Sequence, residues 1–141
     1  MRQNKFGLTS RFLVALLFLF GGLGMQVRDV LHVDDLFDLL SLQARELARL
    51  DGGVFNAGGG VVISTSLREL TRHCAGLTGQ ALAIGSEPET RPADIPYYVS
   101  DCGLLQRTTA WQPTRELAVI LGDIHGWLVD NRAQLEPILA A

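Results

Sequence analysis

Short strand-like segments alternating with amphipathic helices predict an α/β fold, of an α+β-like kind, for this 141-residue chain. Three observations carry that prediction. Val27, Val30, Leu31 and Val33 stand among polar residues over 26–33, which reads as a strand. Leu36, Leu39, Leu40, Leu47 and Leu50 then recur at helical spacing and stop at Gly52-Gly53. Ser66 and Glu69 have the spacing of a capping box, ahead of a helix with Leu67, Leu70, Cys74 and Leu77 on one face and Gly79 at its end.

The remaining elements follow in order. Asp34 or Asp35 offers an N-cap carboxylate to the first helix. Val54-Phe55-Asn56 reads as a short strand leading into Gly58-Gly59-Gly60. Residues 81–84 form another strand candidate, and 85–96 hold three prolines and must be loop. Residues 97–99 are strand-like. A last helix is predicted over 114–132, with Leu117, Ile120, Leu121, Ile124 and Leu128 on one face. Trp111 and Trp127 read as packing residues.

Composition narrows the function. The chain is 48% hydrophobic and 19% charged, so it can bury a core and is not disordered by composition. A net charge of −3 leaves no basic stripe to follow a nucleic-acid backbone, yet a phosphorylated small molecule needs only one or two placed arginines. Lys5 is the sole lysine; the other eleven basic residues are arginines. The two cysteines, Cys74 and Cys102, are too few for a disulfide framework and read as buried free thiols, which suit a cytoplasmic location. Residues 1–23 divide from 24–141 as an apolar N-terminal segment: Arg2, Lys5 and Arg11 precede the run Phe12–Phe20, which serves either as a core helix or as a signal-like membrane segment.

The chemistry-bearing stretches are Gln26-Val27-Arg28-Asp29-Val30-Leu31-His32-Val33-Asp34-Asp35-Leu36, then Val54-Phe55-Asn56-Ala57-Gly58-Gly59-Gly60. After these come Gly85-Ser86-Glu87-Pro88-Glu89-Thr90-Arg91-Pro92-Ala93-Asp94-Ile95-Pro96-Tyr97-Tyr98 and Thr109-Ala110-Trp111-Gln112-Pro113. In this order they resemble the C-terminal part of the extended short-chain dehydrogenase/reductases, and among those the NAD-dependent nucleotide-sugar epimerases of the CDP-paratose 2-epimerase type. The resemblance covers roughly residues 24–139. It implies a substrate-binding portion lacking most of the Rossmann domain. It also implies that Arg28 and Arg91 touch the diphosphate of a nucleoside diphosphate-sugar, with Asp94 at the ribose. A guanidinium presents paired donors in a fixed fork that suits phosphate oxygens. The bland alternative is a pair of surface ion pairs, Arg28 with Asp29 and Arg91 with Asp94.

Other motifs lead nowhere catalytic. Gly58-Gly59-Gly60 has the look of a phosphate cradle, but Ile63 stands where a dinucleotide fingerprint has its third glycine. His32, His73 and His125 show no metal-ligand spacing. The resemblance implies NAD in the full-length family, held by a glycine-rich turn, and a Tyr-x-x-x-Lys pair. Neither is present here: Tyr97 and Tyr98 are followed at that spacing by Asp101 and Cys102, and Lys5 is preceded by Met1. The expectation is therefore a truncated epimerase with no catalytic, cofactor or metal residues of its own. Two alternatives stand beside it. One is a binding or scaffold half of a split enzyme, paired with a Rossmann-domain chain or with itself; the other is a small membrane-anchored protein.

Overall fold

The computed structural model describes residues 24–80 and 95–139. The N-terminal segment 1–23, the strand expected at 81–84, and Arg91 and Asp94 lie outside the described residues. The chain divides into two compact units. The first holds 27–65 and 97–120; the described part of the second holds 24–26, 66–80, 95–96 and 121–139. The described elements are β1 (Val27–Asp29), α1 (Val33–Arg45), α2 (Leu47–Leu50), β2 (Ser64–Ser66), α3 (Leu67–Thr78), β3 (Tyr97–Tyr98), α4 (Gly103–Thr109), α5 (Leu117–Asp130) and α6 (Arg132–Leu139). They give the α/β architecture expected from the alternation of patterns.

A three-stranded sheet in the order β2-β1-β3 organises the first unit. β1 runs parallel to β3, with Val27 opposite Tyr97 and Arg28 opposite Tyr98. The strand expected over 26–33 is shorter than its apolar pattern, because its C-terminal half leaves the ladder. Val30 donates its N–H to the Ile63 carbonyl at 2.9 Å, and His32 turns out to cap α1. The His32 Nδ1 accepts the backbone N–H of Asp34 at 3.0 Å. A side-chain acceptor at this position satisfies one of the orphan donors of a helix start. The cap is thus His32, not Asp34 or Asp35, which lie inside the first turn.

Asp35 does something else. Its side chain is 2% exposed and sits under the segment that leads into α5. It accepts from the Thr114 hydroxyl at 3.0 Å, from the Arg115 backbone N–H at 3.2 Å and from Arg115 Nη1 at 2.6 Å. Trp111 Nε1 donates to the Asp35 carbonyl at 3.2 Å. Arg115 also reaches Asp38 at 3.3 Å and Asp34 at 3.7 Å. Beside this junction Leu39, Leu105 and Trp111 form the core, with Leu31, Leu42 and Phe55 packed against it.

Other departures have local causes. The last helix begins at Leu117 rather than 114, because Thr114 and Arg115 are held by Asp35, and it breaks before α6. Val54-Phe55-Asn56 forms no strand: Phe55 packs on the core, and the Asn56 amide donates to the Asp101 carbonyl at 3.4 Å. The seven-residue α4 carries no pattern that announces it. Trp127 is 56% exposed and is not a packing residue, whereas Trp111 is.

In the second unit the capping box is present as expected. Ser66 Oγ accepts from the Glu69 N–H at 3.2 Å, and Glu69 Oε2 accepts from the Ser66 N–H at 3.0 Å. The Gly24 carbonyl accepts from the Arg68 N–H at 2.8 Å and that of Gln26 from Leu67 at 3.1 Å, fixing the start of α3. Gly79 ends the helix at φ 68°, a conformation that favours glycine. Cys74 and Cys102 are free and buried. Among the described residues, no helix is long and apolar enough to cross a membrane.

Burial by itself pushes the Asp35 carboxyl up, but hydrogen bonds from Arg115 and Thr114 outweigh it, and the group titrates below its ordinary value. A depressed carboxylate stabilises the fold above its unfolded pKa of about 3.9, and that contribution is lost as pH falls through the folded value. Asp35→Ala leaves Arg115, Thr114 and a backbone N–H without their acceptor. The expected loss is about 3 kcal/mol, at the low end for a broken buried pair because Arg115 keeps contact with water. Urea unfolding at neutral pH and again below pH ~4 checks both statements. The parent should weaken on acidification more steeply than the variant.

Candidate functional site

Arg28 stands in the middle of β1, half-buried, and its Nη1 donates to the Val27 carbonyl at 2.7 Å. Successive side chains of a strand point to opposite faces, so Arg28 and Asp29 diverge. Asp29 turns to the glycine run: its Oδ2 accepts the Gly60 N–H at 3.1 Å. The residue opposite Arg28 on the neighbouring strand is Tyr98, which is exposed. Arg28 therefore lies on the middle strand of the sheet, one strand spacing from an exposed aromatic ring. Of the three residues expected to bind substrate, it alone falls among the described residues; Arg91 and Asp94 do not.

The glycine run is a packing device. A Cβ on Gly59 would stand 2.0 Å from the Val30 carbonyl oxygen, and one on Gly58 2.3 Å from Asp29 Oδ2 and 2.5 Å from Ser100 Oγ. At Gly59 the obstacle is backbone, which leaves no room for a larger residue, whereas at Gly58 it is side chains that would have to move. The Gly60 N–H, which a phosphate-cradling loop would offer to a ligand, is already donated to Asp29. Cys102 closes the same knot, with its thiol 3.6 Å from the Gly58 carbonyl. Burial pushes that thiol up; its contact with the Gly58 carbonyl opposes this, and the nearby Asp29 and Asp101 carboxylates add to it, which favours the protonated thiol. Among the described residues, no group of three or more His, Cys, Asp or Glu side chains is placed to hold a metal ion.

Sequence reasoning missed the Asp35–Arg115 junction. Its partners are 80 residues apart, and no local spacing links them. The one available signal was the placement of Thr114-Arg115 directly after Trp111-Gln112-Pro113.

No protein-family model matches the chain. In sequence it is 31% identical over 96 residues to the CDP-paratose 2-epimerase of Salmonella typhi, covering 68% of this chain and 28% of that protein. It is 32% identical over 124 residues to the dTDP-glucose 4,6-dehydratase of Streptomyces antibioticus, covering 83% and 34%. In fold, the epimerase Mth375 of Methanothermobacter thermautotrophicus superposes with a TM-score of 0.75 at 18% identity, over 93% of this chain and 39% of that one. The UDP-glucuronic acid 4-epimerase of Bacillus cereus, solved with NAD and a UDP-sugar, gives 0.71 at 18% identity over 92% and 41%.

The chain is similar to nucleotide-sugar epimerases and dehydratases of the extended short-chain dehydrogenase/reductase family.

It matches their C-terminal portion. It spans about a third of the length of the curated relatives above. Within this segment the glycine run holds β1 in place, and β1 holds Arg28. Gly59→Ala should therefore abolish folding or cost about 3 kcal/mol, as overpacking against backbone does. Gly76→Ala, in the interior of α3 where a new Cβ meets nothing within 4 Å, should stabilise by about 0.5–1 kcal/mol. Thermal melts of the two variants separate a structural glycine from an incidental one. Equal effects at both positions would contradict the packing role.

Proposed function

We propose that this chain binds the nucleoside diphosphate portion of a nucleotide-sugar and does not transform it unaided. The observation that carries the reading is Arg28, set half-buried on the middle strand of the sheet beside exposed Tyr98, while the adjacent Asp29 faces away to Gly60. Arg28 and Arg91 grip the diphosphate from two segments, and Asp94 accepts from the ribose. A guanidinium fork matches the pyrophosphate oxygens better than a single ammonium does. Structural neighbours solved with UDP-glucose and with a UDP-glucuronic acid analogue support this ligand class. The sequence likeness to a CDP-paratose 2-epimerase favours a CDP-sugar.

Chemistry requires what lies elsewhere. The Bacillus cereus relative holds NAD, and this chain corresponds to 41% of it. A nicotinamide cofactor carries the hydride step, and it needs a glycine-rich turn at a helix N-terminus for its pyrophosphate. The sequence here offers no such turn and no Tyr-x-x-x-Lys pair. NAD therefore sits on the portion that this chain does not span. The two buried free thiols suit a reducing cytoplasm.

Two outcomes are expected. The purified chain carries no NAD and turns over no nucleotide-sugar, which mass spectrometry of the native protein and a coupled assay would check. Arg28→Ala and Arg91→Ala each weaken binding of a CDP- or UDP-sugar by about ten- to a hundredfold, the value of a hydrogen bond to a charged group. Arg→Lys at either site restores only part of it. Unchanged affinity in both alanine variants, measured by calorimetry, would make these arginines ordinary surface residues.

A further inference from the structure

The turn between β1 and α1 is held by a ring nitrogen. His32 is buried, and its Nδ1 accepts the Asp34 N–H at 3.0 Å. Its carbonyl accepts the Leu36 N–H at 3.1 Å. The usual caps, serine, threonine, asparagine and aspartate, accept through oxygens that stay acceptors at every pH near neutrality. An imidazole nitrogen accepts only while it carries no proton. This cap therefore requires the neutral ring, with its proton on Nε2. A protonated His32 would aim a second N–H at the Asp34 N–H, donor against donor. It would also set a positive charge at the positive end of the α1 dipole.

The charged groups at this turn, among the described residues, are Asp34 and Arg115. Asp34 lies on α1 itself; its side chain is 61% exposed and its Oδ2 stands 3.7 Å from His32 Nδ1. Arg115 comes from the segment that Asp35 holds. Its Nη2 is 3.7 Å from that same Asp34 oxygen, and its Nη1 engages Asp35 and Asp38. A proton on His32 thus finds one carboxylate, largely in water and already shared with a guanidinium. An exposed pair of that kind contributes little, so the lost cap and the opposed dipole outweigh it. We propose that His32 is an acid-released cap, which locks the start of α1 while its ring is neutral and frees it when the ring takes up a proton. The stabilisation is present above the range in which histidines titrate, around pH 6.5, and is lost as pH falls through that range. The release acts on a short connection: only residues 30–32 separate β1, with Arg28, from α1, with Asp35.

The test follows the full chain by urea unfolding and by amide NMR between about pH 7.5 and 5.5, where Asp and Glu side chains stay charged. The unfolding constant of the parent should rise about fivefold across this range, the worth of one N-cap. His32→Asn keeps a cap that does not titrate there and should flatten the dependence. His73→Gln combined with His125→Gln should leave it in place. In the parent, the Asp34 amide should shift and lose exchange protection in step with protonation of the His32 ring. Equal pH dependence in the parent and in His32→Asn overturns the inference. So does an Asp34 amide that keeps its shift and its protection while the His32 ring titrates. A gain in stability on acidification that Asp34→Asn abolishes also overturns it, because the ion pair then outweighs the cap. If His32→Asn does not fold, the amide measurement on the parent decides by itself.

Discussion

The Asp35 carboxylate is the point on which the first unit turns. It is buried, and a buried carboxylate is costly unless its oxygens are fully engaged. Here three donors from Thr114 and Arg115 engage it. The same residue's carbonyl receives the Trp111 indole. One residue therefore joins α1 to a segment nearly eighty positions away and, with Trp111, closes the core over Leu39 and Leu105. With α1 fixed, the preceding turn at His32 is fixed, and with it the end of β1. Arg28 inherits its position from that sequence of constraints. The glycine run does the equivalent on the other side, where Asp29 is tied to Gly60 and a Cβ at Gly59 would run into the Val30 carbonyl.

Local rules made some of this readable in advance and left the rest hidden. The capping box of Ser66 and Glu69 and the glycine stop at Gly79 are short-range devices, complete within a few residues, and they appear as the spacing implies. The structural role of Gly58-Gly59-Gly60 was legible because the third glycine of a dinucleotide fingerprint is absent. The cap of α1 was not, since aspartate is the commoner N-cap and His32 does the work through a ring nitrogen. Helix α4 was invisible: it is seven residues long, has no side-chain cap, and ends on Ala110 in a left-handed conformation at φ 59° rather than on glycine. The Asp35–Arg115 pair is a long-range contact, and periodicity within either segment carries no trace of it. Of the site itself, Arg28 is placed on β1 as the apolar pattern implied, while Arg91 and Asp94 fall outside the described residues.

The proposed function asks for fixed, paired donors to a diphosphate, of which Arg28 on β1 would supply one set. Hydride chemistry needs a cofactor bound at a helix N-terminus and a tyrosine whose pKa a lysine depresses. The sequence holds neither a glycine-rich turn of that kind nor a Tyr-x-x-x-Lys pair, and its relatives carry more than half of their length beyond the part it matches.

The measurement that tests the central claim most directly is a calorimetric titration of the purified chain with a CDP-sugar, with CDP and with CMP. The account places the binding energy on the diphosphate. It therefore predicts saturable binding of the first two and a loss of about tenfold or more with the monophosphate, where one charge-assisted contact is removed. Equal affinity for CDP and CMP, or no saturable binding of any of the three, would contradict it.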